Sequence, residues 1–198
     1  VADGLRELTQ VEIFAMDVTD ADACGDVFKK AQFEFGRVDV LVNNAGYHAR
    51  GNVRDVPAES LGRIIDVNLK APIMLTRIAL PYLEESGGGA IINVASLHGR
   101  VPSAGSATYS ASKFGLRAFT LALHDELEGT GIKAAVVSPG PIDTGFIMEN
   151  IDGLIGYIEC RWYRILYDDC PCDLCLVAFI IGDAVYDIIL SRNVYVKS

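Results

Sequence analysis

An α/β fold with a doubly wound, parallel sheet is predicted by two observations. Short apolar runs rich in β-formers alternate with longer segments of helical periodicity, and nearly every such run ends on polar or glycine residues. At 198 residues the chain can bury one sizeable core but is too short for two ordinary domains and a linker, so residues 1–198 are expected to form a single domain. Apolar residues at 51% and charged residues at 22% exclude a disordered or collagen-like chain. The 17 basic and 26 acidic residues leave a net charge of −9, which gives a phosphate backbone nothing to bind, so nucleic acid is not an expected partner. No apolar run reaches the roughly eighteen residues of a membrane helix, and the opening VADGLRELTQ lacks the pattern of a secretory signal. A cytoplasmic protein without membrane contact is expected.

Val11 to Val18 is an apolar run that stops at Asp17, Thr19 and Asp20, which predicts a buried strand ending in a loop. Thr19 or Asp20 can cap the helix that follows, Ala23, Val27, Ala31 and Phe35 share one face of it, and Gly36 stands where a C-terminal cap belongs. Val38 to Val42 is a second short strand, closing on Asn43-Asn44-Ala45-Gly46. Glu59 to Leu83 has helical spacing, is expected to break at Pro72 and Pro81, and ends before Gly87-Gly88-Gly89. Ala90 to Ala95 then reads as a strand, Thr108 to Leu127 as a helix, and Lys133 to Val137 as a strand ending at Ser138-Pro139-Gly140. Beyond Thr144 the pattern loosens; a helix over Asp173 to Leu190 and an edge strand over Val194 to Val196 are expected.

Ligands of open parallel sheets bind beyond the carboxyl ends of the strands. That rule selects Asp17, Asn43 to Gly46, Ser96 and Pro139 to Thr144, although any one of them taken singly is as well explained as a turn or cap. Tyr109 and Lys113, four apart near a helix start, have side chains on one face, where an ammonium favours the phenolate and brings the phenol within reach of proton transfer. Ser96 ends the preceding strand thirteen residues earlier, so its hydroxyl and the phenol can converge on one substrate oxygen. Asn68 is a poor helix former inside a helix, which points to a tertiary use for its amide or a bend beside Pro72.

Together these residues make the chain similar to the short-chain dehydrogenase/reductase family. Asn43-Asn44-Ala45-Gly46 resembles its N-N-A-G, Ser96 with Tyr109-Ser110-Ala111-Ser112-Lys113 its Ser and Y-x-x-x-K, and Pro139-Gly140-Pro141-Ile142-Asp143-Thr144 its P-G-x-[IV]-x-T. The likeness runs from about Val11 to Ile147 and implies a Rossmann-like fold. It implies hydride transfer between NAD or NADP and an alcohol/ketone pair, the cofactor carrying the hard chemistry. By the same resemblance Tyr109 is the general acid/base, Lys113 lowers its pKa and holds the nicotinamide ribose, Ser96 binds the substrate oxygen, and Asn68 keeps a water linking Lys113 to solvent. Asp17 and Val18 resemble the adenine contacts, Asn44, Ala45 and Gly46 those beside the adenosine ribose and diphosphate, and Pro139, Gly140, Ile142 and Thr144 those toward the carboxamide. A homo-dimer or tetramer built through the long helices is implied too.

The chain has no counterpart of the family's T-G-x-x-x-G-x-G turn, which cradles the pyrophosphate at a helix N-terminus. The first strand-helix-strand unit, roughly 30 residues or more, is expected to be missing, an N-terminal truncation that leaves the first strand without its sheet neighbours. A fragment of a longer enzyme is favoured over a homologue that has lost dinucleotide binding; the alternative function is a non-catalytic binding or interaction protein. Residues 150–198 diverge from the family. Cys160, Cys170, Cys172 and Cys175 could supply four thiolates to zinc, but paired C-x-x-C units are lacking, so buried small hydrophobes are the favoured reading and no metal is expected. His98, Phe146, Ile147, Tyr157 and Trp162 either border the substrate or are a surface-loop histidine and ordinary core residues, two equal readings; the first favours a mostly apolar alcohol or ketone over a highly charged substrate. The 198-residue chain alone is expected to bind NAD(P)H weakly or not at all; tight binding in a fluorescence titration would overturn this.

Overall fold

The computed structural model describes residues 10–140 in full and the backbone of residues 175–182 and 185–192. Strand β1 is Val11–Ala15 and helix α1 Ala21–Phe35. The Asp20 side chain accepts from the backbone N–H groups of Asp22 and Ala23, and Gly36 closes the helix at φ 76°, a left-handed position that costs glycine nothing. Cys24, Val27, Phe28, Ala31 and Phe35 form the buried stripe, with Ala23 only half-buried at its edge. Burial raises the Cys24 thiol to about 12, with Asp20 and Asp17 adding to the shift, which leaves it a packing residue rather than a nucleophile.

Strand β2 is Val40–Asn43, and the long helical region after it is three pieces: α2 Ala58–Ile65, a π-helical turn at Asp66–Lys70, and α3 Ala71–Glu85. Neither proline breaks it. Pro72 lies in the first turn of α3, and α3 runs straight through the exposed Pro81. The irregularity falls instead at the π turn, with Asn68 at its centre. Strand β3 is Gly89–Val94, a 3₁₀ turn follows at Leu97–Gly99, α4 is Ala107–Glu126 and β4 is Ile132–Val137.

Strands β5, Cys175–Gly182, and β6, Val185–Arg192, correct the expected helix over Asp173 to Leu190. The physical reason is legible in Leu176 to Ile181: an unbroken apolar run with no polar residue at helical spacing cannot form a two-faced surface helix, but suits a strand inside a sheet. The order across the sheet is β1-β6-β5-β2-β3-β4. β5, β2, β3 and β4 are parallel; β6 runs antiparallel to β1 and β5, so the sheet is mixed. The expectation that β1 has no neighbour is therefore also corrected, because all five of its residues pair with β6, while β5 pairs with Val40, Leu41 and Val42 of β2. Val194 to Val196 lie outside the described residues.

The described helices form one layer, since α1 packs on α3, and α2 and the π turn pack on α4. The core between that layer and the sheet is built from Phe28, Leu41, Leu75, Leu83, Ile91 and their neighbours. Inside it runs a polar line across the strands. Asn43 Nδ2 donates to Asn93 Oδ1 at 2.7 Å, Asn93 Nδ2 to Thr120 Oγ1 at 2.9 Å, and Thr120 Oγ1 to the Leu116 carbonyl at 2.7 Å. It locks β2, β3 and α4 in one register directly beneath the strand ends. Asn93 is fully buried, so Asn93→Ala leaves the Asn43 amide only its longer bond to the Pro72 carbonyl at 3.5 Å and takes the partner from Thr120; a loss of about 2 kcal/mol, or a fall in Tm of roughly 4–8 °C, is expected. An unchanged thermal denaturation midpoint would show that the line contributes nothing.

Candidate active site

The carboxyl ends of β2 and β3, the π turn and the first turns of α4 converge on Tyr109. Asn68, fully buried at the π turn, accepts from the Tyr47 backbone N–H at 2.7 Å and donates to the Tyr47 carbonyl at 2.9 Å and to Ser112 Oγ at 3.2 Å. Ser112 Oγ in turn donates to the Tyr109 carbonyl at 2.7 Å. One amide thus ties the loop after β2 to the helix that carries Tyr109 and Lys113. A Cβ added to Gly46 would lie 3.7 Å from Asn68 Oδ1 and 3.9 Å from Lys113 Nζ, so the N-N-A-G loop runs beside both polar groups.

Lys113 is buried and donates from Nζ to the Val94 carbonyl at 2.9 Å, with Nζ 5.8 Å from the centre of the Tyr109 ring. Burial lowers its pKa to about 8. Tyr109 is shifted upward: burial outweighs the opposing pulls of the Ser96 hydroxyl and the Arg50 guanidinium. The expected lowering of the phenol by Lys113 is not the dominant influence in this geometry, because the ammonium is engaged with the end of β3 and the phenol is desolvated.

Ser96 stands just past the end of β3, where its Oγ accepts from the His98 backbone N–H at 3.2 Å and its hydroxyl acts to lower the pKa of the phenol. The turn it caps rests on α4 at Gly99, where an added Cβ would sit 2.7 Å from the Lys113 carbonyl oxygen. That contact sets the Ser96-to-Tyr109 spacing, because only glycine lets the turn approach the helix backbone so closely. The other side is closed by the Leu97 N–H, which donates to the Pro139 carbonyl at 2.8 Å.

Of the remaining candidates, Val18 is buried at the end of β1. The Asp17 carboxylate accepts from the backbone N–H and hydroxyl of Thr19 at 2.9 and 2.8 Å; burial works to raise its pKa, and these bonds with Arg63 overcome it and leave it low. Asn44, Ala45 and Gly46 line the loop after β2, and Pro139 and Gly140 follow β4. Ile142, Thr144, Phe146, Ile147, Tyr157, Trp162, Cys160, Cys170 and Cys172 lie outside the described residues; of Cys175 only the backbone is described. Among the described residues no three His, Cys, Asp or Glu side chains group as a metal site.

Sequence reasoning missed His48 and Arg50. His48 stacks on the Tyr109 ring at 4.2 Å between centroids and 22° between planes, while His98 meets the same ring edge-on at 5.6 Å and 75°. His48 Nε2 is 3.4 Å from Ser106 Oγ and His98 Nε2 is 2.9 Å from Ser103 Oγ. Burial, with Arg50 and His98 nearby, brings the His48 pKa down to about 4. The signal was available: both residues lie within four positions of the N-N-A-G motif.

Comparison with known proteins shows the family. Residues 1–153 match the family model described as short chain dehydrogenase. An uncharacterized oxidoreductase of Staphylococcus epidermidis is 36% identical over 136 residues, which are 69% of this chain and 59% of that protein. A D-beta-hydroxybutyrate dehydrogenase of Cupriavidus necator is 38% identical over 136 residues, 69% of this chain and 53% of its own. A crystal structure of a short-chain dehydrogenase from Streptomyces avermitilis superposes with a TM-score of 0.62 at 35% identity, over 68% of this chain and 50% of that one. The chain thus spans little more than half the length of the curated relatives it matches.

The depressed His48 pKa makes stability depend on pH. An unfolded histidine takes its proton near 6.5, whereas the folded one resists until about 4. The stability that neutral His48 allows is therefore present above pH 6.5 and lost as pH falls from there toward 4. Between pH 7 and 5, the Tm of the wild type should fall more than that of His48→Gln; parallel losses would remove His48 as a source.

Proposed function

Because the chain belongs to the short-chain dehydrogenase family, we propose that it carries the catalytic part of an NAD(P)-dependent oxidoreductase that interconverts a small-molecule alcohol and its carbonyl. The observation that carries this reading is the convergence of Ser96, Tyr109, Lys113 and Asn68 beyond the carboxyl ends of β2 and β3, where Asn68 is tied through Ser112 to the backbone of Tyr109.

The described residues fit one end of the dinucleotide. The side-chain-free backbone at Gly46, with Asn68 Oδ1 and Lys113 Nζ within van der Waals distance of where a Cβ would stand, suits the nicotinamide ribose, and Val18 with Asp17 after β1 suits the adenine. For the diphosphate the described residues offer no glycine-rich turn opening a helix, since β5 leads into the antiparallel β6. When bound, the cofactor supplies or accepts the hydride at the reacting carbon.

This chain's own groups handle the oxygen and its proton. Ser96 Oγ and Tyr109 Oη donate to the carbonyl oxygen; as charge develops there, Tyr109 Oη delivers the proton and the alcohol forms. In the oxidising direction Tyr109 Oη takes that proton back. Desolvation holds the phenol protonated, ready as an acid, and keeps the Lys113 ammonium, with its pKa near 8, close to neutrality. Asn68 acts by position, fixing the loop after β2 against α4. Exposed Ile73 and Met74 on α3, with Phe114 and Leu121 on α4, support self-association through these helices.

A non-catalytic binding role is favoured by one observation, the hairpin turn from β5 into β6 where a diphosphate cradle would be needed. An in-frame T-G-x-x-x-G-x-G upstream of Val1 decides for the enzyme. In the full-length protein, screened against alcohols and ketones by NAD(P)H absorbance, Tyr109→Phe should lower turnover by roughly 10²–10⁴-fold while sparing cofactor binding. Unchanged turnover removes Tyr109 from its role.

A further inference from the structure

Tyr109 lies in the first turn of α4, its backbone fixed by the helix and by the Ser112 hydroxyl on its carbonyl. That backbone does not by itself place the phenol oxygen, because a long side chain on a helix has two open χ1 wells. Two imidazoles meet the ring. His48 stacks on one face at 4.2 Å between centroids and 22° between planes, and His98 stands at an edge, at 5.6 Å and 75°. Stacked and edge-on contacts are the arrangements that aromatic pairs favour. Lys113 Nζ, 5.8 Å from the ring centre, is occupied by the Val94 carbonyl.

Each imidazole is itself anchored, and both anchors come from one turn. Ser103 Oγ is 2.9 Å from His98 Nε2, and Ser106 Oγ is 3.4 Å from His48 Nε2. The Ser106 N–H donates to the Ser103 carbonyl at 3.3 Å, closing a β-turn whose third residue, Gly105, has φ 73°, a left-handed position that such a turn gives to glycine. The Gly105 carbonyl accepts from the Gly51 N–H at 3.0 Å, and the Ser106 carbonyl from the Ser110 N–H at 2.8 Å. The turn is thereby bonded on one side to the loop that carries His48 and on the other to the helix that carries Tyr109. Tyr47, next to His48, is clamped by both groups of the Asn68 amide. His48 Nδ1 is buried and unpartnered among the described residues, so the imidazole is held there by Ser106 and by its contact with the phenol ring.

We propose that His48 and His98 are positioning residues: held by the Ser103–Ser106 turn, they confine the Tyr109 ring to the one orientation in which Oη reaches the substrate oxygen. This rests on the proposed oxidoreductase activity and adds to it two groups that neither give nor take the transferred proton. A displacement of about 1 Å at a reacting group can cost roughly 100-fold in rate. The effect therefore belongs in kcat, with KM left in place because the imidazoles act on the ring and not on the substrate.

The full-length protein is assayed with NAD(P)H on the alcohol or ketone it turns over. His48→Ala should lower kcat by roughly 10- to 100-fold while KM moves by less than about threefold. His48→Phe keeps a flat ring on the phenol, gives up the Ser106 bond, and should recover most of the loss. His98→Ala removes only the edge contact and should lower kcat by a smaller factor, again without raising KM. Independently of turnover, the Tyr109 ring protons, assigned by difference with Tyr109→Phe in protein carrying isotope-labelled tyrosine, should be shifted upfield by the stacked ring in the wild type and in His48→Phe, and should return in His48→Ala. A kcat unchanged by His48→Ala, a loss that His48→Phe does not recover, or a raised KM at constant kcat overturns the positioning role while the oxidoreductase reading stands. An unchanged kcat in His98→Ala removes His98 from it. Absence of turnover by the wild type with every alcohol and ketone overturns the oxidoreductase reading, and Tyr109 ring protons that His48→Ala does not move overturn the ring contact whatever the turnover.

Discussion

The carboxamide of Asn68 joins three elements that are distant in sequence: the loop after β2, the π turn and the start of α4. Its three hydrogen bonds, to both backbone groups of Tyr47 and to Ser112, lie in a fully buried setting where each unmade bond would cost its full desolvation. They fix the loop after β2 against the start of α4, and with it the positions of His48, Arg50, Tyr109 and Lys113. The π turn is the structural expense of that joint: an extra residue in the turn points Asn68 inward between α2 and α3. An asparagine that is unfavourable for a helix is therefore favourable for the tertiary structure.

Burial then sets the chemistry around the joint. Tyr109 and Lys113 are each pushed toward their neutral forms by the same desolvation, and the exposed Arg50 acts electrostatically on His48 and on the phenol. A desolvated phenol that stays protonated is the form a proton donor needs.

The sheet obeys a different constraint. Backbone donors and acceptors in a layered structure must find partners, and the slot between β1 and β2 is filled by the hairpin of β5 and β6. The hairpin brings hydrogen-bonding edges but no helix, so it completes the ladder without rebuilding a phosphate-binding turn. Sheet continuity and dinucleotide recognition are thus separable in this fold: the first needs only extended backbone, the second needs a helix N-terminus at one strand end.

Local periodicity was enough to locate β1, α1, β2, β3, α4 and β4, because each element carries its own buried stripe and its own cap or turn residues, as with Asp20 and Gly36 around α1. Motif spacing was enough to nominate Asn68, Ser96, Tyr109 and Lys113, since four residues along a helix or thirteen across one loop translate directly into proximity. It was not enough for β5 and β6, whose partners are distant in sequence and whose apolar run is ambiguous until the vacant slot in the sheet is known. Nor could it find His48, which became a neighbour of Tyr109 only when Asn68 folded the loop after β2 over the helix. Which elements form and which residue types are available for proton transfer are local properties written in the chain, whereas which faces meet and which side chains lose their water follow from packing, because burial and long-range pairing belong to no single segment.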